Sequence, residues 1–108
     1  MENDLTNLRL KYDPETRRAL NVDARAYLMI IAILDTMPYY TDTETFGHSS
    51  LTKVDLQYLT GLSNVAVYRK ISHLEDVGYV DRNHKGKMRL TKSSFELLVG
   101  NETVNVIW

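Results

Sequence analysis

The chain has 108 residues, of which 44% are hydrophobic and 25% are charged, and it contains no cysteine. This length predicts one domain with one buried core, and the lack of cysteine excludes disulfides and thiolate metal sites. The longest apolar run lies within Ala26 to Leu34 and is about half as long as a membrane span. Because no signal peptide opens the chain either, we expect a soluble, cytoplasmic protein.

Charge is distributed unevenly along the chain, although the formal net charge is only −1. Residues 63–92 contain seven Lys/Arg and three Asp/Glu, a formal charge of +4. Residues 1–62 contain six Lys/Arg and nine Asp/Glu, and residues 93–108 contain two Asp/Glu and no Lys/Arg, so these segments carry −3 and −2. A nucleic-acid partner requires a basic footprint, and such a footprint is confined here to residues 63–92.

Two helices are predicted in the first third of the chain. Asp13-Pro14-Glu15 supplies an N-cap, a first-turn proline and a first-turn acid for a helix from Pro14 to Leu20. Asn21 or Asp23 can cap a second helix that runs to about Met37. The apolar face predicted for this second helix comprises Ala26, Tyr27, Ile30, Ile31, Leu34 and Met37.

A long polar connection follows the second helix. Pro38 ends the helix, and Tyr39 to Ser50 then form a connection of about a dozen residues, with a short strand expected near Thr45-Phe46. A connection of this length is uncommon in a compact domain and is often functional.

Signals for two closely spaced helices come next. The first begins at Lys53, after a capping threonine, and ends at Gly61. Ser63 caps the second, which runs from Asn64 to Val77 and is closed by Gly78. The positions expected to face a core are Val54, Leu56 and Leu59 in the first helix and Val67, Ile71, Leu74 and Val77 in the second.

A two-stranded hairpin and a last helix are predicted after Gly78. Tyr79-Val80 and Met88-Arg89-Leu90 have strand-like patterns, and His84 to Lys87 form a glycine-containing turn between them. Thr91 or Ser93 then caps a helix that runs to about Val99. Gly100 ends that helix, and the tail from Thr103 to Trp108 alternates like a strand.

Residues 24–98 resemble the winged helix-turn-helix transcription regulators, in particular the multiple-antibiotic-resistance regulator class. The family pattern is a helix, a glycine turn, a Ser-capped recognition helix, a Leu-Glu pair, and a Gly-aromatic-Val lead into a basic hairpin. The residues that carry it are Leu59-Thr60-Gly61-Leu62-Ser63, Val67, Ile71, Leu74-Glu75 and Val77-Gly78-Tyr79-Val80. The connection from Tyr39 to Ser50 is longer than the family's link, and the terminal segments match nothing in the pattern.

The resemblance implies a mainly α fold with a small β-hairpin wing and a three-helix core with extra terminal segments. The implied organisation is an N-terminal extension over residues 1–23, a winged helix-turn-helix domain over 24–99 and a strand-like tail over 100–108. It also implies that the partner is double-stranded DNA, with the recognition helix in the major groove.

The polar face of the recognition helix then supplies the base contacts. With Val67, Ile71 and Leu74 committed to the core, the first two turns present other side chains to the groove. Arg69 can donate two hydrogen bonds to a guanine, and Asn64 can pair with an adenine edge. Each of these side chains is alternatively a solvated surface residue, Tyr68 can pack sideways on the hairpin, and Lys70 and His73 are placed for phosphate contacts or plain surface.

The hairpin supplies a second set of contacts, to the phosphate backbone or the minor groove. Alternatively, the Lys and Arg side chains of the hairpin form a solvent-exposed surface that binds no DNA. Hydroxyls at the helix N-termini, Ser63 and Thr52, can also reach phosphate, although capping alone explains both. The complete set of predicted DNA contacts is Ser63, Asn64, Val65, Tyr68, Arg69, Lys70, Ser72, Arg82, Lys85, Lys87 and Arg89.

Enzyme signatures are missing from the sequence. It has no glycine-rich phosphate loop, no His-Glu metal spacing and no nucleophile beside a base, and no cofactor or metal is expected. The scattered histidines are His48, His73 and His84, and the carboxylates Asp55, Glu75 and Asp76 fall on helix faces expected to be exposed.

A small-molecule effector is the next alternative. Its pocket could be lined by Tyr39, Tyr40, Met29 and Met37. Core packing is the more frequent role of such residues, so an effector has no independent support.

The terminal segments are candidates for a homodimer interface, because one recognition helix reads only a few base pairs. Alternatively, they fold back on their own domain. Their apolar side chains are Leu5, Leu8, Leu10 and Tyr12 at the start and Val104, Val106, Ile107 and Trp108 at the end.

We therefore expect a dimeric, sequence-specific DNA-binding regulator of transcription, associated with the nucleoid of a prokaryote or encoded by a prokaryotic virus or plasmid. One alternative is a phage or plasmid replication or DNA-organising protein with the same domain. The other is a winged helix used only for protein–protein contact.

Overall fold

A computed structural model describes residues 14–40, 42–43 and 45–99. The elements in chain order are α1 (Pro14–Leu20), α2 (Ala24–Thr36), β1 (Tyr39–Tyr40), β2 (Thr45–Phe46), α3 (Lys53–Thr60), α4 (Asn64–Asp76), β3 (Val80–Arg82), β4 (Met88–Leu90) and α5 (Lys92–Val99). The terminal apolar side chains predicted to form a dimer interface lie outside the described residues.

α2 is the central helix of the fold. Asp23 caps it by accepting a hydrogen bond of 2.8 Å from the Ala26 N–H, as one of the two predicted caps. The buried face is broader than predicted, since Met29 and Ile33, which extend it beyond Ala26, are also fully buried. The reason is that α2 contacts both α3 and β4, so that neighbouring elements cover more than one of its sides.

α3 and α4 form as predicted, with two corrections at valines. Val54 in α3 is exposed, because this short helix buries mainly Leu56. Val77 is also exposed. α4 ends one residue earlier than expected, and the chain unwinds at Val77 into the left-handed Gly78 at φ +83°. The side chain of Val77 therefore leaves the buried stripe.

Two antiparallel hairpins complete the described structure. β1 pairs with β2 within the long connection, which confirms the expected short strand at Thr45-Phe46. β3 pairs with β4, with Val80 opposite Leu90 and Arg82 opposite Met88. A backbone bridge links the long connection to β4, in which the Ser49 N–H donates to the Met88 carbonyl over 2.6 Å.

The N-terminal helix is part of the same packed unit. α1 packs on α5, and Leu20 and Val22 belong to the hydrophobic core. The residues expected to form an extension therefore contribute core side chains. α5 begins after Thr91, whose hydroxyl accepts from the Ser94 N–H over 3.4 Å, as predicted for a cap.

The described chain is thus mostly helical with small antiparallel sheets, which confirms the expected mainly α class with a β-hairpin. Within the described residues, no helix combines the length and the apolar character that crossing a bilayer requires. Met29 and Met37 are core residues, whereas Tyr39 and Tyr40 are exposed. Core packing therefore accounts for both methionines.

Candidate nucleic-acid interface

The orientation of α4 is determined by its N-terminal cap and its buried stripe. The Ala66 N–H donates to the Ser63 hydroxyl over 3.1 Å, so the helix begins at Asn64. The turn before it requires the left-handed backbone of Gly61, at φ +72°. The stripe itself consists of Val67, Ile71 and Leu74, all buried.

The opposite side of α4 faces solvent. At about 100° per residue, Val65, Arg69 and Ser72 point away from the buried stripe, while Tyr68 and Lys70 lie on its two flanks. Of the predicted contacts on or before this helix, Ser63, Asn64, Val65, Tyr68 and Arg69 are exposed, and Lys70 and Ser72 are half-buried.

The tip of the β3–β4 hairpin is organised by one asparagine side chain. The Asn83 Oδ1 accepts from the N–H of Lys85 over 2.9 Å and from the N–H of Lys87 over 3.0 Å. The backbone of Asn83 also bonds to Lys87 and Gly86, each over 2.9 Å. These bonds hold Lys85, which is exposed, and Lys87, which is half-buried, at a defined turn.

Tyr68 connects the flank of α4 to the hairpin and to α3. The Lys53 Nζ lies 5.1 Å from the centroid of its ring, and the Arg82 guanidinium lies 5.8 Å from it. Both distances are within the range of cation–π attraction. The predicted alternative for Tyr68, sideways packing toward the hairpin, agrees with this position, although the ring remains 48% exposed.

Two of the predicted contact cations form ion pairs within the chain. Lys70 on one flank of α4 pairs with Asp23, which precedes α2. On the other side, Arg82 in β3 pairs with Glu75 over 2.6 Å. Arg89 donates in turn to the Phe46 carbonyl over 3.3 Å.

The ion pairs shift the pKa of two of their members, Asp23 and Arg82. Partial burial raises the pKa of the Asp23 carboxyl, but hydrogen bonds from Lys70 and the Ala26 N–H outweigh this, and the pKa lies below its ordinary value. The hydrogen bond to Glu75 raises the pKa of the Arg82 guanidinium.

A cationic cleft lies between the start of α3 and the hairpin. It has a volume of about 320 Å³, and Leu51, Ile71 and Met88 form part of its lining. The cations around it are Lys53, Arg82, Lys85 and Lys87. Ammonium and guanidinium groups gathered around such a cleft are suited to phosphate oxygens.

His48 lies between charged groups of the hairpin. Burial lowers the pKa of its imidazole, and the positive charge of Arg89 lowers it further, while Asp81 acts in the opposite direction. The pKa is lower than that of a free histidine, so the folded state favours the neutral ring.

No family model, curated protein or solved structure matches this chain. The chemistry of the interface is therefore inferred from its own side chains. Among the described residues, no group of three or more His, Asp or Glu is placed to hold a metal ion.

Lys53 is one residue of the candidate interface that the sequence pattern does not identify. It is the first residue of α3, and it borders both Tyr68 and the cationic cleft. Its position after a capping threonine was a usable signal, because helix N-termini commonly meet phosphate. Asn83 was also missed, and its place before a glycine-containing turn is typical of an Asx turn.

Proposed function

We propose that this chain binds double-stranded DNA sequence-specifically as a winged helix-turn-helix regulator of transcription. In this proposal α4 lies in the major groove and the β3–β4 hairpin follows the phosphate backbone or enters the minor groove. The observation that supports it best is the position of Arg69. This exposed arginine lies on the solvent face of α4. Tyr68, on one flank of the same helix, contacts Lys53 and Arg82, two of the cations around the cationic cleft.

The available cations divide into two groups by role. Arg69 is assigned to base recognition, because a guanidinium can bond to both acceptors of a guanine. Lys53, Lys85 and Lys87 are assigned to phosphates, because they line the cationic cleft and lie outside α4. Lys70 and Arg82 are already paired with carboxylates, so they contribute less to affinity than the sequence alone suggests.

The acidic remainder of the chain favours the same orientation. Residues 63–92 carry +4, whereas the segments on either side carry −3 and −2. Phosphates attract residues 63–92, the segment that contains α4 and the β3–β4 hairpin.

The test is selection of DNA from a random-sequence pool and from genomic fragments, followed by affinity measurements at several salt concentrations. We expect log affinity to fall linearly with log salt, by about 0.9 per phosphate neutralised. Arg69→Ala is expected to relax the selected sequence with little change in this slope. The Lys85→Ala/Lys87→Ala double variant is expected to reduce the slope by up to about 1.8 and to keep the sequence preference.

A matched control removes the same charge elsewhere. Arg18 in α1 and Lys92 in α5 are both exposed, and their helices pack on each other, so Arg18→Ala/Lys92→Ala should leave slope and sequence preference unchanged. Equal effects of the two double variants would contradict the assigned interface. A lack of salt-dependent DNA binding at low ionic strength would contradict the function itself.

We also propose that the regulator acts as a homodimer, because one α4 reads only a few base pairs and two-fold copies read two half-sites. The expected result is a dimer in sedimentation analysis and a selected sequence with two inverted half-sites. A monomer that selects a single half-site would contradict this. A selected fragment at a replication origin, rather than at promoters, would indicate a replication protein.

One observation favours the second candidate, a protein–protein interaction module. On α3, Tyr58 is 87% exposed and Val54 is 56% exposed, one helical turn apart on the same face. If the purified chain binds no DNA, Tyr58→Ala should be tested for loss of protein partners in pull-down experiments.

A further inference from the structure

α4 carries an exposed valine on the face assigned to DNA. Val65 is 57% exposed, and it lies four residues before Arg69, so the two side chains are neighbours on one side of the helix. Single apolar side chains on a surface are ordinary. The position of this one, beside the proposed base-reading arginine, distinguishes it.

Neither packing nor helix propensity explains a valine at this position. The buried stripe runs along the opposite side of α4, and a β-branched residue is a weaker helix former than alanine or the straight-chain residues. An apolar group on a bound partner would give this side chain a favourable contact that the folded chain itself does not supply.

The charges of α4 indicate which end approaches DNA. Asp76 is exposed at the C-terminal end of the helix, and phosphates repel its carboxylate. The first two turns carry no acidic residue. The N-terminal end of α4 thus faces the groove, and Val65, as the second residue of the helix, is among the side chains nearest to the bases.

We propose that Val65 is a specificity-determining residue that packs on the C5-methyl group of a thymine. Thymine is the one base that presents a methyl group in the major groove. This inference rests on the proposed DNA-binding function. Four residues of helix rise by about 6 Å, and base pairs are spaced by about 3.4 Å. The thymine therefore lies one or two base pairs from the guanine that Arg69 reads.

The experiment replaces each thymine of the selected DNA by uracil, one at a time. This change removes only the methyl group. For the wild-type protein we expect one thymine at which uracil weakens binding about fourfold, the effect of burying one methyl-sized group. Val65→Ala is expected to bind the thymine and uracil forms of that site with a smaller difference than wild type, and to keep its preference for the Arg69 guanine.

Val54→Ala is the matched control, because Val54 is the second residue of α3 and equally exposed, at 56%. It should retain the wild-type ratio between thymine and uracil DNA. Thermal melting of each variant verifies that it is folded.

Two results would overturn the inference while leaving the DNA-binding function intact. In the first, wild type binds tightly but distinguishes thymine from uracil at no position. In the second, Val65→Ala distinguishes them as wild type does. An absence of salt-dependent DNA binding would instead overturn the proposed function together with this inference.

Discussion

Ser49 offers the sharpest test of how the hairpin is attached to the helical core. Its side chain is fully buried, and its hydroxyl lies 2.5 Å from the Thr36 hydroxyl at the end of α2. The same oxygen accepts from the Leu51 N–H over 3.0 Å. Its own N–H donates to Met88 in β4, so Ser49 joins three regions of the chain.

The loss of stability expected for Ser49→Ala follows from these contacts. Thr36 keeps a second partner, the Ala32 carbonyl at 2.7 Å, whereas the half-buried Leu51 N–H loses its side-chain acceptor. Leaving such a donor unsatisfied costs about 1–3 kcal/mol. A loss of about 2 kcal/mol corresponds to a decrease in Tm of about 10 °C for a domain of roughly 100 residues.

The assay is urea denaturation followed by far-UV circular dichroism, with thermal melts in parallel. Ser50→Ala provides the control, since Ser50 is the neighbouring residue and is exposed. That variant should remain within about 0.5 kcal/mol of wild type. The reasoning is refuted if Ser49→Ala is as stable as Ser50→Ala, because the buried hydroxyl would then contribute nothing to the free energy of unfolding.

Two further predictions concern charge. Glu75→Gln should steepen the salt dependence of DNA binding by up to about 0.9, because it releases Arg82 for a phosphate; Glu96→Gln on α5 should not, and equal slopes for both would contradict the assigned role of the ion pair. The lowered pKa of His48 means that protonation favours the unfolded state, so its contribution to stability is present above the free-histidine pKa of about 6.5 and is lost as pH falls below it. Urea denaturation at pH 7.5 and 5.5 should therefore show that the free energy of unfolding decreases less on acidification for His48→Gln than for wild type. His84→Gln, in the hairpin turn, is the control. An equal decrease in the free energy of unfolding for wild type and His48→Gln would contradict the predicted direction of this effect.

Helix boundaries were predictable because their signals are local. A capping hydroxyl and a left-handed glycine act within a few residues, and both Ser63 and Gly61 do so here. The burial of individual side chains was less predictable, since it depends on which neighbouring helix or strand covers each side of an element. Val54 has the spacing of a core residue but lies on the uncovered side of a short helix, and Ile33 is buried because α2 has neighbours on more than one side.

The sequence pattern identified most side chains of the candidate interface, but it did not show which of its cations pair with other side chains of the chain. The outward side of α4 followed from eliminating the buried stripe, and this identified Arg69. Lys70 pairs with Asp23, which is 47 positions away in the sequence. The spacing of residues within a helix or strand does not predict a contact at that separation. Lys53 meets Tyr68 only because α3 packs on α4.

The two ion pairs have a common consequence for recognition. Asp23 pairs with Lys70 on one flank of α4, and Glu75 on the other flank pairs with Arg82 in β3. In the proposed function, these carboxylates offset two cations that would otherwise bind any phosphate. Sequence-independent affinity would then be lower, while Arg69 stays exposed on the solvent face of α4. Because specificity depends on the ratio of specific to non-specific affinity, a chain with a net charge of −1 can discriminate among sequences better than a uniformly basic one.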